Sequence, residues 1–203
     1  MARLLLIRHA PTAETGRKLT GRLPGVELGE KGQQVAERLA QRLADLKLDA
    51  VYASPIERTW ETAEIVARAH GLTPIREDGL LEIDFGNWSG RTFKQLTRLK
   101  LWRTVQMTPS RVTFPGGEAM ADMQRRAVAT CERLAASSPK GTIALVSHAD
   151  VIKAIVSHYL GQPFDLFQRI VISPASVSVI ELPPEGPPAV LAVNATGAEG
   201  TWR

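Results

Sequence analysis

The chain has 203 residues, 44% hydrophobic and 23% charged, the balance of an ordinary folded protein with room for a sizeable core. No apolar run reaches the roughly 18 to 20 residues needed to cross a bilayer, and Leu4 to Ile7 is too short for the core of a signal peptide. A single cysteine, Cys131, excludes an internal disulfide and a multi-cysteine zinc site, so a cytoplasmic protein is expected. The net charge of +4 is modest, and basic residues are mixed with acids, as Arg38 and Arg42 are with Glu37 and Asp45. Neither nucleic acid nor a membrane is therefore the expected partner. Arginine outnumbers lysine, and the guanidinium grips oxyanions in a fixed fork, which suits a small acidic ligand.

In chain order, Arg3 to Ile7 reads as a buried strand, followed by a polar, glycine-punctuated loop from Pro11 to Gly32 that is long enough to suggest function. Val35, Leu39, Leu43 and Leu46 recur at helical spacing, predicting an amphipathic helix over Glu30 to Leu46. Asp49 to Ala53 is a second strand. Ser54-Pro55 then reads as an N-cap with proline at the first helical position, opening a helix through Ile56, Trp60, Ala63 and Ala67 that stops at Gly71. A short strand near Thr73 to Arg76 follows, then a mostly helical segment from Thr92 to Met107. Further on come a helix from Glu118 to Ala136, an apolar strand from Thr142 to Ser147 and a helix from Asp150 to Leu160 ended by Gly161. Ile170 to Val193 reads as two closing strands around a turn at Pro183 to Pro188. The alternation predicts one α/β domain of three layers, with a mainly parallel central sheet and helices on both faces.

Ligands of open parallel sheets gather at the carboxyl ends of the strands. The sequence puts Arg8-His9 at the end of the first strand, Arg58 in the first turn of the helix after the second, and Ser147-His148 at the end of the Thr142 strand. Two histidines and two arginines on one edge make a phosphate or carboxylate site by charge. Arg58 alone also reads as a solvated helix residue between Glu57 and Glu61. His70 and His158 need only their places near helix C-termini to explain them.

The segment Leu6-Ile7-Arg8-His9-Ala10-Pro11-Thr12 resembles the Arg-His-Gly signature of the histidine phosphatase superfamily, phosphoglycerate mutase-like branch. Four more segments are similar in order: Ser54-Pro55 with Arg58-Thr59 and Glu61 to Glu64, Glu82 to Gly90, Pro115 to Glu118, and Val146 to Ala149. The resemblance implies a phosphoglycerate mutase-like fold and a phosphohistidine on His9. Arg8, Arg58 and His148 would then bind the phosphoryl oxygens, with no cofactor and no metal. Ala10 stands where the family has glycine, and the family's phosphate-holding asparagine near Thr15 is missing. Thr12, Thr15 or Thr20 replaces it through a hydroxyl, and Thr15, Thr20 and Gly21 are the candidate phosphate contacts of this loop. The short chain and Glu-Ile-Asp-Phe-Gly in the acid segment favour a phosphatase over a mutase.

Neutral imidazole attacks a phosphate monoester in line, and Arg8 and Arg58 are expected to keep His9 neutral. The leaving alkoxide needs a proton, for which Glu82 is the candidate and Asp84 the rival. Gly116-Gly117 reads either as backbone approach to substrate or as a plain turn. Other readings are a cofactor-dependent phosphoglycerate mutase, metal-dependent hydrolysis through His9, His148 and Asp150, and a phospho-ligand-binding regulator without catalysis. A serine hydrolase fails because Gly86 to Gly90 misses the Gly-x-Ser-x-Gly elbow. Trp88, Leu99 to Met107 and Pro109 to Phe114 are expected to form a partly apolar cap, at about residues 92–115, over a small phosphorylated metabolite, one larger than phosphoglycerate. A homo-oligomer is left open.

Overall fold

The computed structural model describes residues 1–197. Strand β1 (Ala2–Arg8) alternates two apolar sets, as the period of a strand requires: Leu4 and Leu6 join one buried cluster, Leu5 and Ile7 another. Helices α1 (Glu30–Leu43) and α2 (Glu57–Ala69) carry Leu39, Leu43, Ala63 and Val66 into the Leu5 cluster. Helices α5 (Met120–Ser137) and α6 (Ala149–Tyr159) carry Met123, Leu134, Ile152 and Ile155 into the Leu4 cluster. Helices thus cover both faces. Cys131, fully buried in α5, has its thiol pushed up to about 12 by burial, which makes it an inert core residue. Among the described residues no helix is long and apolar enough to cross a membrane.

With β2 (Ala50–Ala53), β3 (Ile75–Arg76), β4 (Thr142–Ser147), β5 (Val177–Leu182) and β6 (Ala189–Ala195), the sheet runs β3-β2-β4-β1-β5-β6. The sheet is mostly parallel, as expected, but mixed: β3, β2, β4 and β1 pair in parallel, whereas β5 is antiparallel to both β1 and β6. The chain leaving α6 climbs back to the carboxyl end of β1, where the Arg8 amide donates to the Ser176 carbonyl and the Ala175 amide to the Arg8 carbonyl. From there β5 has only the reverse direction open to it. For the same reason no strand begins at Ile170, and residues 170–176 instead form an irregular wall beside Arg8.

Two helix starts also differ from expectation. The α2 N-cap is an extended Ile56, because the Ser54 amide is still bonded to the Val146 carbonyl at the end of β2. Ser54 is therefore a strand-end residue and not a cap. Helix α5 begins at Met120, leaving Glu118 in the preceding loop, where its amide donates to the Asp84 carbonyl. Between them lie α3 (Phe93–Leu96), closed by a Thr92/Gln95 capping box, and α4 (Lys100–Met107).

Central and edge strands should differ in what a truncation costs. Leu145→Ala on β4, where the side chain is fully buried, is expected to lower the unfolding free energy by about 2–5 kcal/mol. Val193→Ala on the edge strand β6, 39% exposed, should stay within about 0.5 kcal/mol. Urea unfolding of the two variants checks the contrast.

Candidate active site

The sheet register builds the centre of the site. Arg8 pairs with Ser147 across β1 and β4, so the next residues, His9 and His148, leave the sheet side by side with ring centroids 5.4 Å apart. Ala53 pairs with Val146, which brings Ser54 level with them. The Arg58 side chain, only 2% exposed, runs between the two rings. Its Nε donates to His9 Nε2 at 3.3 Å, and its Nη2 donates to the Gly21 carbonyl at 2.8 Å and lies 3.2 Å from His148 Nδ1. The solvated-helix reading of Arg58 is thereby overturned.

These bonds fix both tautomers, because a guanidinium only donates and each nitrogen facing it must accept. The His9 proton is then on Nδ1, which donates to the Ala10 carbonyl at 2.7 Å and leaves the Nε2 lone pair as the acceptor from Arg58. The His148 proton is on Nε2 and goes to Ser54 Oγ at 3.0 Å. Burial, then Arg58, holds both imidazoles well below the usual histidine range, so both are neutral at physiological pH. The expected cause for His9, cationic neighbours, is real but second to desolvation.

A cavity of about 610 Å³ opens onto this centre and is lined by Arg8, His9, Thr15, Thr20, Gly21, Arg58 and Glu82 among others. His148 is fully buried and stands behind Arg58, not on the wall. Arg8 Nη1 donates to the Ile172 carbonyl at 2.6 Å. Arg8 Nε and Arg58 Nη1 are buried without a partner, an arrangement that costs free energy unless an acceptor arrives. Thr15 Oγ1 accepts from the Thr12 amide at 2.9 Å and so shapes the loop besides lining the cavity.

Glu82 has its carboxyl pushed up to about 7, mainly by burial and then by the Asp150 charge, against the pull of Arg58 and Arg8. Its Oε2 is 3.8 Å from His148 Nδ1, and its Oε1 accepts from the Ile83 amide. Asp84 does not reach the cavity: its Oδ1 accepts from the Gly86 amide at 2.9 Å and closes a turn. Gly116 and Gly117 also lie off the cavity wall. A Cβ on Gly117 would fall 2.3 Å from the Asp84 carbonyl oxygen, so this glycine is needed for the turn to pack. Among the described residues no three His, Cys, Asp or Glu side chains group as a metal ligand set. The position between the two histidines is held by a guanidinium.

Sequence reasoning missed several residues. Ser54 was disguised as a helix cap by the proline after it. Arg22 Nε and Arg126 Nη2 both donate to the Glu82 carbonyl, at 2.7 and 3.3 Å, and Glu118 bridges the two guanidiniums. The Pro-Gly-Gly-Glu block pointed to Glu118 without showing that it anchors the Glu82 backbone. The aromatic wall is Phe85, Trp88, Phe93, Trp102 and Phe114, with Trp88 and Trp102 stacked at 6.3 Å. His70 and His158 lie off the cavity.

A sequence model of the histidine phosphatase superfamily (branch 1) matches residues 4–196. Phosphoserine phosphatase 1 of Hydrogenobacter thermophilus is 34% identical over 187 residues, covering 90% of this chain and 87% of that one. The bifunctional protein Rv2228c of Mycobacterium tuberculosis is 34% identical over 200 residues, and the match spans only 54% of its length. Among solved structures, Bacillus stearothermophilus YhfR superposes with a TM-score of 0.87 at 30% identity, covering 99% of both chains.

Ser54→Ala would strand the buried His148 Nε2–H without an acceptor. Chemical denaturation should show a loss of about 1–3 kcal/mol, the usual cost of a buried unsatisfied donor.

Proposed function

Since the chain belongs to the histidine phosphatase superfamily, we propose that it is a metal-independent phosphomonoesterase in which His9 carries the phosphoryl group and Glu82 is the proton donor. The observation that supports this most is the pair of buried, unpartnered guanidinium nitrogens, Arg8 Nε and Arg58 Nη1, next to a neutral His9 Nε2. A phosphoryl group supplies the acceptors these donors lack. It also competes for the long Arg58–His9 hydrogen bond and so frees the lone pair for attack.

In the first step the Nε2 lone pair forms the N–P bond as the P–O ester bond breaks, and the Glu82 proton passes to the leaving alkoxide. The His9 Nδ1–H stays on the Ala10 carbonyl, which supports the positive charge of the phosphorylated ring. In the second step the Glu82 carboxylate takes a proton from water, the water oxygen bonds to phosphorus, and the N–P bond breaks to release phosphate. Thr15, Thr20 and Gly21 line the same cavity, with the Gly21 carbonyl bonded to Arg58, and are assigned to the phosphoryl group in this reading. Phe93, Trp102, Val105 and Phe114, from the segment at residues 92–115, act as a cap over the alcohol and keep bulk water off the first step.

Rapid mixing with an aryl phosphate and an alkyl phosphate separates the roles. His9→Ala should abolish acid-labile phosphoenzyme with both. Glu82→Gln should slow alkyl transfer by roughly 10²- to 10⁴-fold and the aryl ester far less, since an acidic phenol leaves without help. Equal loss on both esters would reassign Glu82 to a structural role.

The pH dependence follows from the same residues. The first step uses protonated Glu82, whose carboxyl is raised to about 7, so kcat/KM for an alkyl ester should fall as pH rises through about 7. His9, held well below 6.5, should add no acidic limb near neutrality. In Glu82→Gln the alkaline limb should vanish from the residual activity.

A further inference from the structure

The same cavity contains an ion pair that neither carries nor binds the phosphoryl group in the mechanism above. Asp150 and Lys153, on the first turns of α6, both line it, with side chains 25% and 16% exposed. Lys153 Nζ donates to Asp150 Oδ1 at 3.1 Å and to Gln168 Oε1 at 3.1 Å, and lies 5.5 Å above the Phe167 ring. One of its three protons is left over. Asp150 Oδ2 has no hydrogen-bond donor among the described residues. A pair serving only helix stability would point to bulk solvent and be worth little. This one is mostly desolvated and presents one unused carboxylate oxygen and one unused ammonium proton side by side.

Its position relative to the reacting groups is what gives it meaning. Asp150 and Lys153 line the same cavity wall as Arg8, His9 and Glu82, close enough for the Asp150 charge to act on both the phosphate donor and the proton donor, so they stand beside the reacting groups. We propose that Asp150 and Lys153 select a phosphomonoester whose alcohol bears an ammonium and a carboxylate on one carbon: a phosphorylated hydroxy amino acid. The ammonium binds Asp150 Oδ2 and the carboxylate binds Lys153 Nζ. Both substituents sit on the carbon two bonds from the ester oxygen, so they flank the scissile bond and meet opposite charges already fixed in place. Gln168 holds Lys153 from the other side and keeps its ammonium over the cavity. The assignment rests on the phosphatase reading above and narrows its substrate class.

The test compares kcat/KM for L-phosphoserine, 3-phosphoglycerate and O-phosphoethanolamine, with an aryl phosphate as a reference for phosphoryl transfer itself. The first two share a carboxylate and a primary alkoxide leaving group, and differ in an ammonium against a hydroxyl. Wild type should favour phosphoserine over phosphoglycerate by roughly 10- to 100-fold, the scale of a charge-assisted hydrogen bond. Asp150→Asn should bring that ratio near unity, whatever it does to the absolute rates. Lys153→Met should remove the preference for phosphoserine over phosphoethanolamine, which lacks the carboxylate. Hydrolysis of the aryl ester with no phosphoserine preference in wild type overturns the selection while leaving the phosphatase reading intact. A preference that survives Asp150→Asn overturns the role of Asp150. Release of phosphate from none of the four esters overturns both readings together. If a variant fails to fold, the wild-type ratios alone decide.

Discussion

The site depends on one buried cation held between two neutral rings. Burying a guanidinium is expensive, and attraction to a full counter-charge normally offsets the cost. Arg58 instead meets a backbone carbonyl and two imidazole nitrogens, and the nearby Glu82 carboxyl, which acts on it only through its charge, has its own pKa raised to about 7. Near neutrality Glu82 is only partly ionised, and Arg8, partly buried, adds a second positive charge. The cavity therefore carries, at Arg8 and Arg58, more positive charge than Glu82 offsets. A phosphoryl dianion relieves that excess, so binding energy is concentrated where the reaction takes place.

The same cation fixes the proton positions that the chemistry needs. It makes His9 Nε2 an acceptor and so directs the ring proton to the Ala10 carbonyl, and it makes His148 Nδ1 an acceptor and directs that proton to Ser54. Register does the rest: a slip of one residue between β1 and β4 would turn one histidine toward the opposite face of the sheet. Glu82 lies on no regular element, and its backbone is fixed by another route. Arg22 from the loop after β1 and Arg126 from α5 converge on its carbonyl, and Glu118 bridges both. Two chain segments distant in sequence thereby hold the proton donor against the nucleophile.

What the sequence disclosed follows the same division. Arg8, His9, Arg58, Glu82 and His148 were legible because each follows a strand or lies in a motif whose order survives in one dimension. The α/β alternation was legible from hydrophobic period. Strand direction was not: Val177 to Leu182 has the same apolar pattern whichever way it runs, and the reversal at β5 comes from where residues 170–176 are docked. Ser54 was misread because Ser-Pro before an apolar helix satisfies every local rule for a cap, while a tertiary hydrogen bond to Val146 keeps it extended. Glu118 was placed inside a helix by composition, although its partners, Arg22 and Arg126, act only once the loop is folded back. Lys153 and Gln168 gave no signal at all, since which face of α6 borders the cavity is decided by packing.

Arg8 shows why the irregular segment before β5 belongs to the site as much as the strands do. Its guanidinium is tied by Nη1 to the Ile172 carbonyl, 164 residues away, which leaves Nε buried and free. Arg58 is tied in the same manner by Nη2 to the Gly21 carbonyl, leaving Nη1 free. In each case one backbone carbonyl from a loop orients the fork and a different nitrogen is reserved for the ligand. Loss of the tie would let the freed guanidinium turn to water and would remove the excess charge that favours phosphate. The parallel strands thus place the nucleophile, while the two loops orient the guanidiniums of its anion site.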